Sequence, residues 1–425
     1  MVEPGASTRR RVAAAALFVA TAALLAFDID RSDTQRRIAG LWRLHTALLG
    51  AAGLWAGVVL LVGAQSRRTA RRLVEGTAIA LLTLAWIELF GQVGLVDYRR
   101  LIRGAGKTVL GAKAIPHLDV RGTTFEDTVL AWGLPAAPVA FRFQTDRRGY
   151  RNGVDRAGAD VYLLGDSCLV AALLPFESTL CGRLEATLGR PVMNLALIGV
   201  GVQQERDLLE ASGVPLEGRL VLHFVFEGND QFDSEKYRAR AASAAPTVPR
   251  VETTFTWNAL LRLQQALQPV DPIARRRSGT IGGTTCTFLW TAEQFRGKEG
   301  EIAPILAALD ETRRFVEAAG GRYAVVAIPD KIRILGPLCT WPAGSELADW
   351  RAHCSPLPQA VAQWAEERRV PELDLTDALQ RAAAAGRIPW WPGDTHWNAI
   401  GHEVAGQALA PFLSEQRLLA APPPR

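Results

Sequence analysis

A serine, a glycine, an asparagine and a histidine stand at well-separated points of the chain, each where an apolar run ends or a turn begins. Ser167 closes Gly165-Asp166-Ser167 directly after the apolar run 161–164. A hydroxyl there would lie at the carboxyl edge of a parallel sheet, near the positive end of a helix, where a developing oxyanion is favoured. His396 lies in Gly393-Asp394-Thr395-His396-Trp397-Asn398. A serine nucleophile needs a general base, and the base needs a carboxylate to fix its tautomer; His396 and Asp394 have the types for both. Gly199, just past the second apolar run, could bring a backbone N–H close to a substrate, and Asn229 could offer its side-chain amide. With the N–H of Ser167 itself these would form an oxyanion hole, although each also reads as ordinary turn chemistry. Asp166, Asp230 and Lys331 fall at the same sheet edge and are candidate substrate-binding groups; Lys331 could bind an anionic substrate but reads first as a solvated loop lysine. Asp374 and Asp377 are fallback partners for His396. His223 reads as a satisfied core histidine and His402 as structural, while His45, His117 and His353 have no supporting context.

The elements that must position these residues follow from apolar periodicity. Short apolar runs at 161–164, 192–197, 220–226 and 323–328 read as strands of a buried parallel sheet. Helical stretches at 177–188, 203–211 and 302–319 separate them, and a weak strand at 372–375 precedes a helix over 377–385. This alternation predicts an α/β three-layer domain over residues 158–415. Residues 97–157 read as a connector rich in Arg, Gly and Pro. Residues 233–300 break the alternation and read as an insertion that caps or borders the active site, the alternatives being a peripheral decoration or a surface that packs on the membrane region.

Upstream, the apolar runs 12–27, 46–62 and 76–96 are each close to the length a membrane helix needs, so residues 1–96 read as three spans. A cleaved signal peptide is the rival for residues 1–28, but no small-residue cleavage site with a polar start follows it. Arg9, Arg10 and Arg11 lie before the first run, and Arg67, Arg68, Arg71 and Arg72 crowd the loop before the third; Asp28, Asp30 and Asp33 offset the arginines of the loop between. The positive-inside rule then places the amino terminus in the cytoplasm and the chain after residue 96 outside. Glu88, within the third run, reads as a helix-packing or interfacial carboxyl. The net charge of +5 over 425 residues, with no arginine stripe interleaved with aromatics, argues against a nucleic-acid partner. Five cysteines without a CxxC pair argue against zinc or thioredoxin chemistry, and a Cys339–Cys354 bridge would fit an oxidising compartment. No metal and no organic cofactor is implied.

Ser167, Gly199, Asn229 and His396, in this order, resemble the blocks that name the SGNH/GDSL hydrolases, over residues 141–413. Arg148-Gly149-Tyr150-Arg151-Asn152 and Asp394-Thr395-His396-Trp397-Asn398 resemble membrane-anchored bacterial members, and the latter also the alginate O-acetyltransferase-like branch, whose enzymes modify exported polysaccharides. Three departures stand out. Cys168 replaces the leucine of the GDSL name, Gly228 directly precedes Asn229, and the acid lies two residues before the histidine where many members place it three before. The resemblance implies a three-layer flavodoxin-like SGNH domain with a parallel sheet, preceded here by three transmembrane helices. It implies a carboxylic ester hydrolase or O-acetyltransferase working through an acyl-serine on O-acetyl groups of envelope carbohydrate or lipid. The expected setting is the bacterial inner membrane, multi-pass, with a periplasmic catalytic domain. Partners would be the bilayer, the ester-bearing substrate and, for a transferase, an acyl-donor membrane protein. The alternative is a non-catalytic glycan-binding or assembly protein of the same fold.

Overall fold

Five short strands, β1 (Val161–Leu164), β2 (Val192–Asn194), β3 (Leu220–Phe226), β4 (Arg322–Ile328) and β5 (Glu372–Asp374), form one parallel sheet in the order 2-1-3-4-5. The computed structural model describes residues 5–29, 37–38, 42–93, 95–96, 98, 115–242, 254–267 and 272–419. Every residue of β1 and β3 is buried, which is why both read as unbroken apolar runs. Alternate side chains serve opposite faces. Leu163, Leu222, Phe224 and Val326 pack with Leu184, Leu379 and Leu409, from helices Leu180–Leu188, Thr376–Ala384 and Ala399–Glu415. Tyr162, Val221, Val225 and Val325 pack with Leu209, Leu309 and Val361, from helices Val202–Ser212, Ile302–Ala318 and Leu357–Arg368. Helices on both faces make three layers, and the strand order is the flavodoxin-like one, whose switch point lies between β1 and β3. Ser167 follows β1, at that point.

The chain divides into two compact units, residues 1–103 with 247–270, and residues 104–246 with 271–425. The stretch read as a connector therefore joins the sheet unit over most of its length, and residues 99–114 of it lie outside the described residues. It folds into an antiparallel hairpin, Asp119–Thr124 with Val139–Gln144, bridged by the helix Asp127–Trp132. The insertion divides as well: residues 247–270 belong with the first unit and residues 271–300 with the sheet.

In the first unit, helices Ala6–Ile29, Leu44–Gln65 and Arg67–Gln92 cover the three apolar runs. Among the described residues, two helical stretches are long and apolar enough to cross a membrane, Thr46–Gln65 and Arg67–Gln92. Two of the three expected spans meet that criterion. Glycines let the first two helices pack closely: a Cβ at Gly50, Gly53 or Gly57 would collide with Leu25, Thr21 or Phe18. Glu88 accepts from the Thr256 N–H at the start of helix Phe255–Leu267. This carboxylate therefore caps a helix of the insertion, where backbone donors are otherwise unpaired. The acid-bearing loop before the second helix and the side chain of His45 lie outside the described residues.

All five cysteines are free thiols. The expected Cys339–Cys354 bridge does not form: the Cys354 thiol turns to the Trp350 carbonyl at 3.6 Å, while Cys339 packs over Gly279.

Candidate active site

The turn after β1 carries Asp166 as a helix cap, its Oδ1 accepting from the Cys168 N–H at 2.9 Å. This cap fixes the short helix Ser167–Val170 and leaves Ser167 as its first residue. From the other end of the chain, Asn398 caps the helix Ala399–Glu415, accepting from the N–H groups of Ile400 and Gly401. Its amide also donates to the carbonyls of Ile388 and Trp390, which sets the loop holding Asp394 and His396. Gly393 in that loop has no room for a Cβ beside Val129 and Glu126.

These two loops bring the serine and histidine together. His396 Nε2 lies 2.9 Å from Ser167 Oγ, and Nδ1 lies 2.5 Å from Asp394 Oδ1. Asp394 Oδ1 also accepts the His396 backbone N–H at 2.9 Å, a tight turn that explains how an acid only two residues away reaches the ring. The fallback acids Asp374 and Asp377 are not needed for this contact; Asp374 Oδ1 accepts from the Thr376 N–H instead.

One acid at the site has no sequence signature. Asp127, from the former connector, lies 3.6 Å from His396 Nδ1. Its backbone N–H donates to Asp394 Oδ2 at 2.8 Å, and its carboxylate accepts from the N–H and hydroxyl of Thr395. Burial and the nearby Asp394 charge push Asp127 up to about 7. Burial alone would lower His396, but Asp394, Asp127 and Asp166 outweigh it and raise the imidazole to about 9. Burial would raise Asp394, yet its contacts with His396 hold it below the ordinary carboxylate range. Donor atoms of Asp127, Asp394 and His396 lie within 4.8 Å of one another, a spacing a cation could use. Here the Nδ1–H shared with Asp394 occupies that position.

The remaining candidates fall into two groups. Gly199 lies in the loop after β2 at φ +69°, a left-handed conformation that glycine adopts without strain. Among the described residues, neither its N–H nor that of Ser167 donates to a protein acceptor. Asn229 occupies the turn after β3, where its Nδ2 donates to Asp233 Oδ2 at 2.7 Å. The expected substrate-binding groups are corrected by their burial. Asp166 is buried, its Oδ1 in the cap and its Oδ2 3.4 Å from Ser167 Oγ, and Asp230 is buried, accepting from the Phe226 N–H at 2.7 Å. Lys331 is only 2 % exposed, and its ammonium donates to the carbonyls of Trp391, Pro392 and Asp394 at 2.8, 2.7 and 3.0 Å. It braces the histidine loop from beneath rather than facing a ligand.

Lys331→Met leaves those carbonyls without their donor. The expected cost is about 2–4 kcal/mol, or roughly 5–10 °C in the unfolding midpoint of the sheet unit. An unchanged midpoint in a thermal scan of the full chain would contradict this bracing role.

The other histidines are occupied. His223 bonds Tyr323 and Glu205, both at 2.7 Å, and burial lowers it to about 3. His402 accepts from the Leu180 N–H at 3.2 Å and is likewise lowered to about 3 by burial. His353 accepts from Ala292 N–H, and His117 stands on the surface near Asp155.

Arg151 explains the motif ahead of β1. Its buried guanidinium donates to the carbonyls of Val170, Ala171 and Leu174, tying down the loop after the serine. Ser167, His396, Asp394 and Asp127 open onto a cavity of about 370 Å³ whose other walls are mostly apolar.

With this geometry in hand, the chain compares with known proteins as follows. Residues 287–425 match the family described as SGNH hydrolase-like domain, acetyltransferase AlgX, a stretch that includes the histidine loop but not the serine. The chain is 29% identical over 150 residues to the protein named Probable alginate O-acetylase AlgJ of Pseudomonas putida, a match covering 35% of this chain and 37% of that one. It thus spans little more than a third of the length of that relative. Among solved structures, a lipase/acylhydrolase from Enterococcus faecalis is 13% identical, with a TM-score of 0.31 over 60% of this chain and 95% of that one. An alpha/beta hydrolase enzyme from the Lake Arreo metagenome is 14% identical, with a TM-score of 0.33 over 62% and 97%.

Proposed function

We propose, taking as premise the chain's similarity to the SGNH/GDSL hydrolases and their alginate O-acetylase-like branch, that it is a serine-dependent ester hydrolase or acyltransferase. The observation that carries this reading is the run of contacts from Ser167 Oγ through His396 to Asp394, at 2.9 and 2.5 Å, opening on a cavity. The polar ends of that run match the needs of a nucleophile, a base and an orienting acid. The membrane region acts as a multi-pass anchor in the inner membrane, with the first helix as a third span, and the sheet domain works on the periplasmic side. Its substrates are O-acyl groups of envelope carbohydrate or lipid.

In the first half-reaction, His396 Nε2 takes the Ser167 proton as Oγ attacks the ester carbonyl. The oxyanion is met by the N–H groups of Ser167 and Gly199; the Asn229 amide serves as third donor by leaving Asp233. Each such donor is typically worth about 3 kcal/mol in the transition state. Collapse breaks the ester C–O bond, His396 returns its proton to the leaving alcohol, and an acyl-serine remains. In the second half, His396 deprotonates water or a sugar hydroxyl, which attacks the acyl-serine and releases Ser167. Asp394 holds Nδ1 and stabilises the imidazolium formed in each half.

A base raised to about 9 is mostly protonated at neutral pH, so kcat/KM rises between about pH 7 and 9. Asp127→Asn removes an anion that favours the imidazolium, so the free base appears at lower pH. Charges about 4 Å apart interact by ~1 kcal/mol even in water, and one pKa unit is ~1.4 kcal/mol, so the acidic limb moves down by about one unit. A profile that keeps its midpoint in Asp127→Asn would remove Asp127 from the site's electrostatics.

The function itself is tested by giving the full chain p-nitrophenyl acetate with and without an alginate oligosaccharide. Acylated oligosaccharide that depends on Ser167 establishes transfer, and p-nitrophenol release with water alone establishes hydrolysis. Release that persists unchanged in Ser167→Ala would end the serine reading.

A further inference from the structure

We propose that the cavity beside Ser167 is an acyl pocket shaped for a medium-length apolar chain, roughly hexanoyl to octanoyl, rather than for acetyl alone. This rests on the serine-ester reading above and assigns its acyl class. The cavity measures about 370 Å³, within the range of about 300–1,000 Å³ typical of pockets for drug-sized ligands. An acetyl methyl would leave most of that space to water against apolar walls.

Polar groups are confined to one end. Beyond Ser167, His396, Asp394 and Asp127, the lining is apolar apart from Thr124 and the indole N–H groups of Trp391 and Trp397, and among the described residues no lysine or arginine lines it. A uronate carboxylate would find no cation along those walls and a sugar ring few hydrogen-bond partners, whereas a hydrocarbon chain would be desolvated at every methylene. The cavity therefore suits the acyl side of the ester and not its alcohol side.

The walls are also pre-formed, so the space cannot simply collapse around a small group. Arg151 pins the loop bearing Leu173 and Leu174 through three backbone carbonyls. Lys331 pins the opposite wall at Trp391. The third wall is the helix Asp127–Trp132, bearing Leu130, and it is tied to the histidine loop by the Thr128 N–H on the Gly393 carbonyl at 3.1 Å. Ala172, half-buried on the serine side, is a position whose enlargement would take up the space directly.

The experiment uses the full chain in lipid nanodiscs with p-nitrophenyl acetate, butyrate, hexanoate and octanoate. Burial of each methylene is worth roughly fourfold, so kcat/KM should rise on the order of 100-fold from acetate to hexanoate. Ala172→Phe should bring the hexanoate-to-acetate ratio back toward one, a ratio that does not depend on how much of the variant is folded. Ser167-dependent turnover that is flat in chain length, or best with acetate, overturns the acyl-pocket proposal and leaves the serine chemistry standing. A second arm measures binding of uncharged octanamide to Ser167→Ala by calorimetry. Saturable binding that Ala172→Phe abolishes upholds the pocket even if no ester is turned over, a result that would sink the serine reading alone. No binding beside no chain-length preference overturns the pocket.

Discussion

His396→Ala lowers kcat for ester turnover by on the order of 10⁶, leaving only what the oxyanion donors and binding supply. Removing the base of a hydrogen-bonded nucleophile costs about as much as removing the nucleophile, because the two act as one unit. Among the described residues, His396 is the imidazole in contact with Ser167 Oγ. His402 and His223 are fully buried and hydrogen-bonded into the core, and burial holds both in the neutral form. The unfolding midpoint should fall, since the buried Asp394 carboxylate loses its imidazole partner, so folding of the variant is checked by circular dichroism. Measured rates within tenfold of wild type in a folded His396→Ala chain would place the base elsewhere.

Asp394→Asn is expected to lower kcat about 10⁴-fold while the fold is kept. An amide in this position would donate toward Nδ1 and favour the wrong tautomer, leaving no lone pair at Nε2 for the serine proton. The loss is tempered by Asp127, 3.6 Å from the same nitrogen. The double variant Asp394→Asn/Asp127→Asn should therefore fall below the single one, and a double-mutant cycle measures the coupling. Strict additivity of the two losses would show that Asp127 does not share the imidazole. Asp394 also accepts the Asp127 and His396 backbone N–H groups on its two oxygens, so an amide there can keep only one of these bonds.

Much of this site could be read along the chain, for a physical reason. Ser167 and the Asp394–His396 pair are each held by local devices, a helix cap and a capped loop, that leave short motifs around the chemical group. The sheet was legible for the same kind of reason: β1 and β3 are buried on both faces and so read as unbroken apolar runs. Asp127 was not legible. It joins the histidine loop by a contact to Asp394, 267 residues away in sequence, from a helix of six residues too short to show a period. Lys331 misled in the opposite sense, because a lysine after a strand ordinarily faces solvent; only the folded carbonyls of Trp391, Pro392 and Asp394 show why it is buried. The insertion could not be apportioned either. Its helix Phe255–Leu267 answers to Glu88 of an apolar helix, while the hairpin Ser278–Ile281 with Thr284–Thr287 joins the sheet unit, its Thr287 N–H donating to the Pro392 carbonyl at 2.9 Å.

The most direct measurement is covalent labelling of the full chain by a fluorophosphonate, with the modified peptide identified by mass spectrometry. Our account expects stoichiometric phosphonylation at Ser167, slowed strongly in His396→Ala, rising with pH as the imidazole loses its proton, and absent in Ser167→Ala. Labelling at another residue, or equal labelling of the Ser167→Ala chain, would contradict the assignment of Ser167 as the nucleophile.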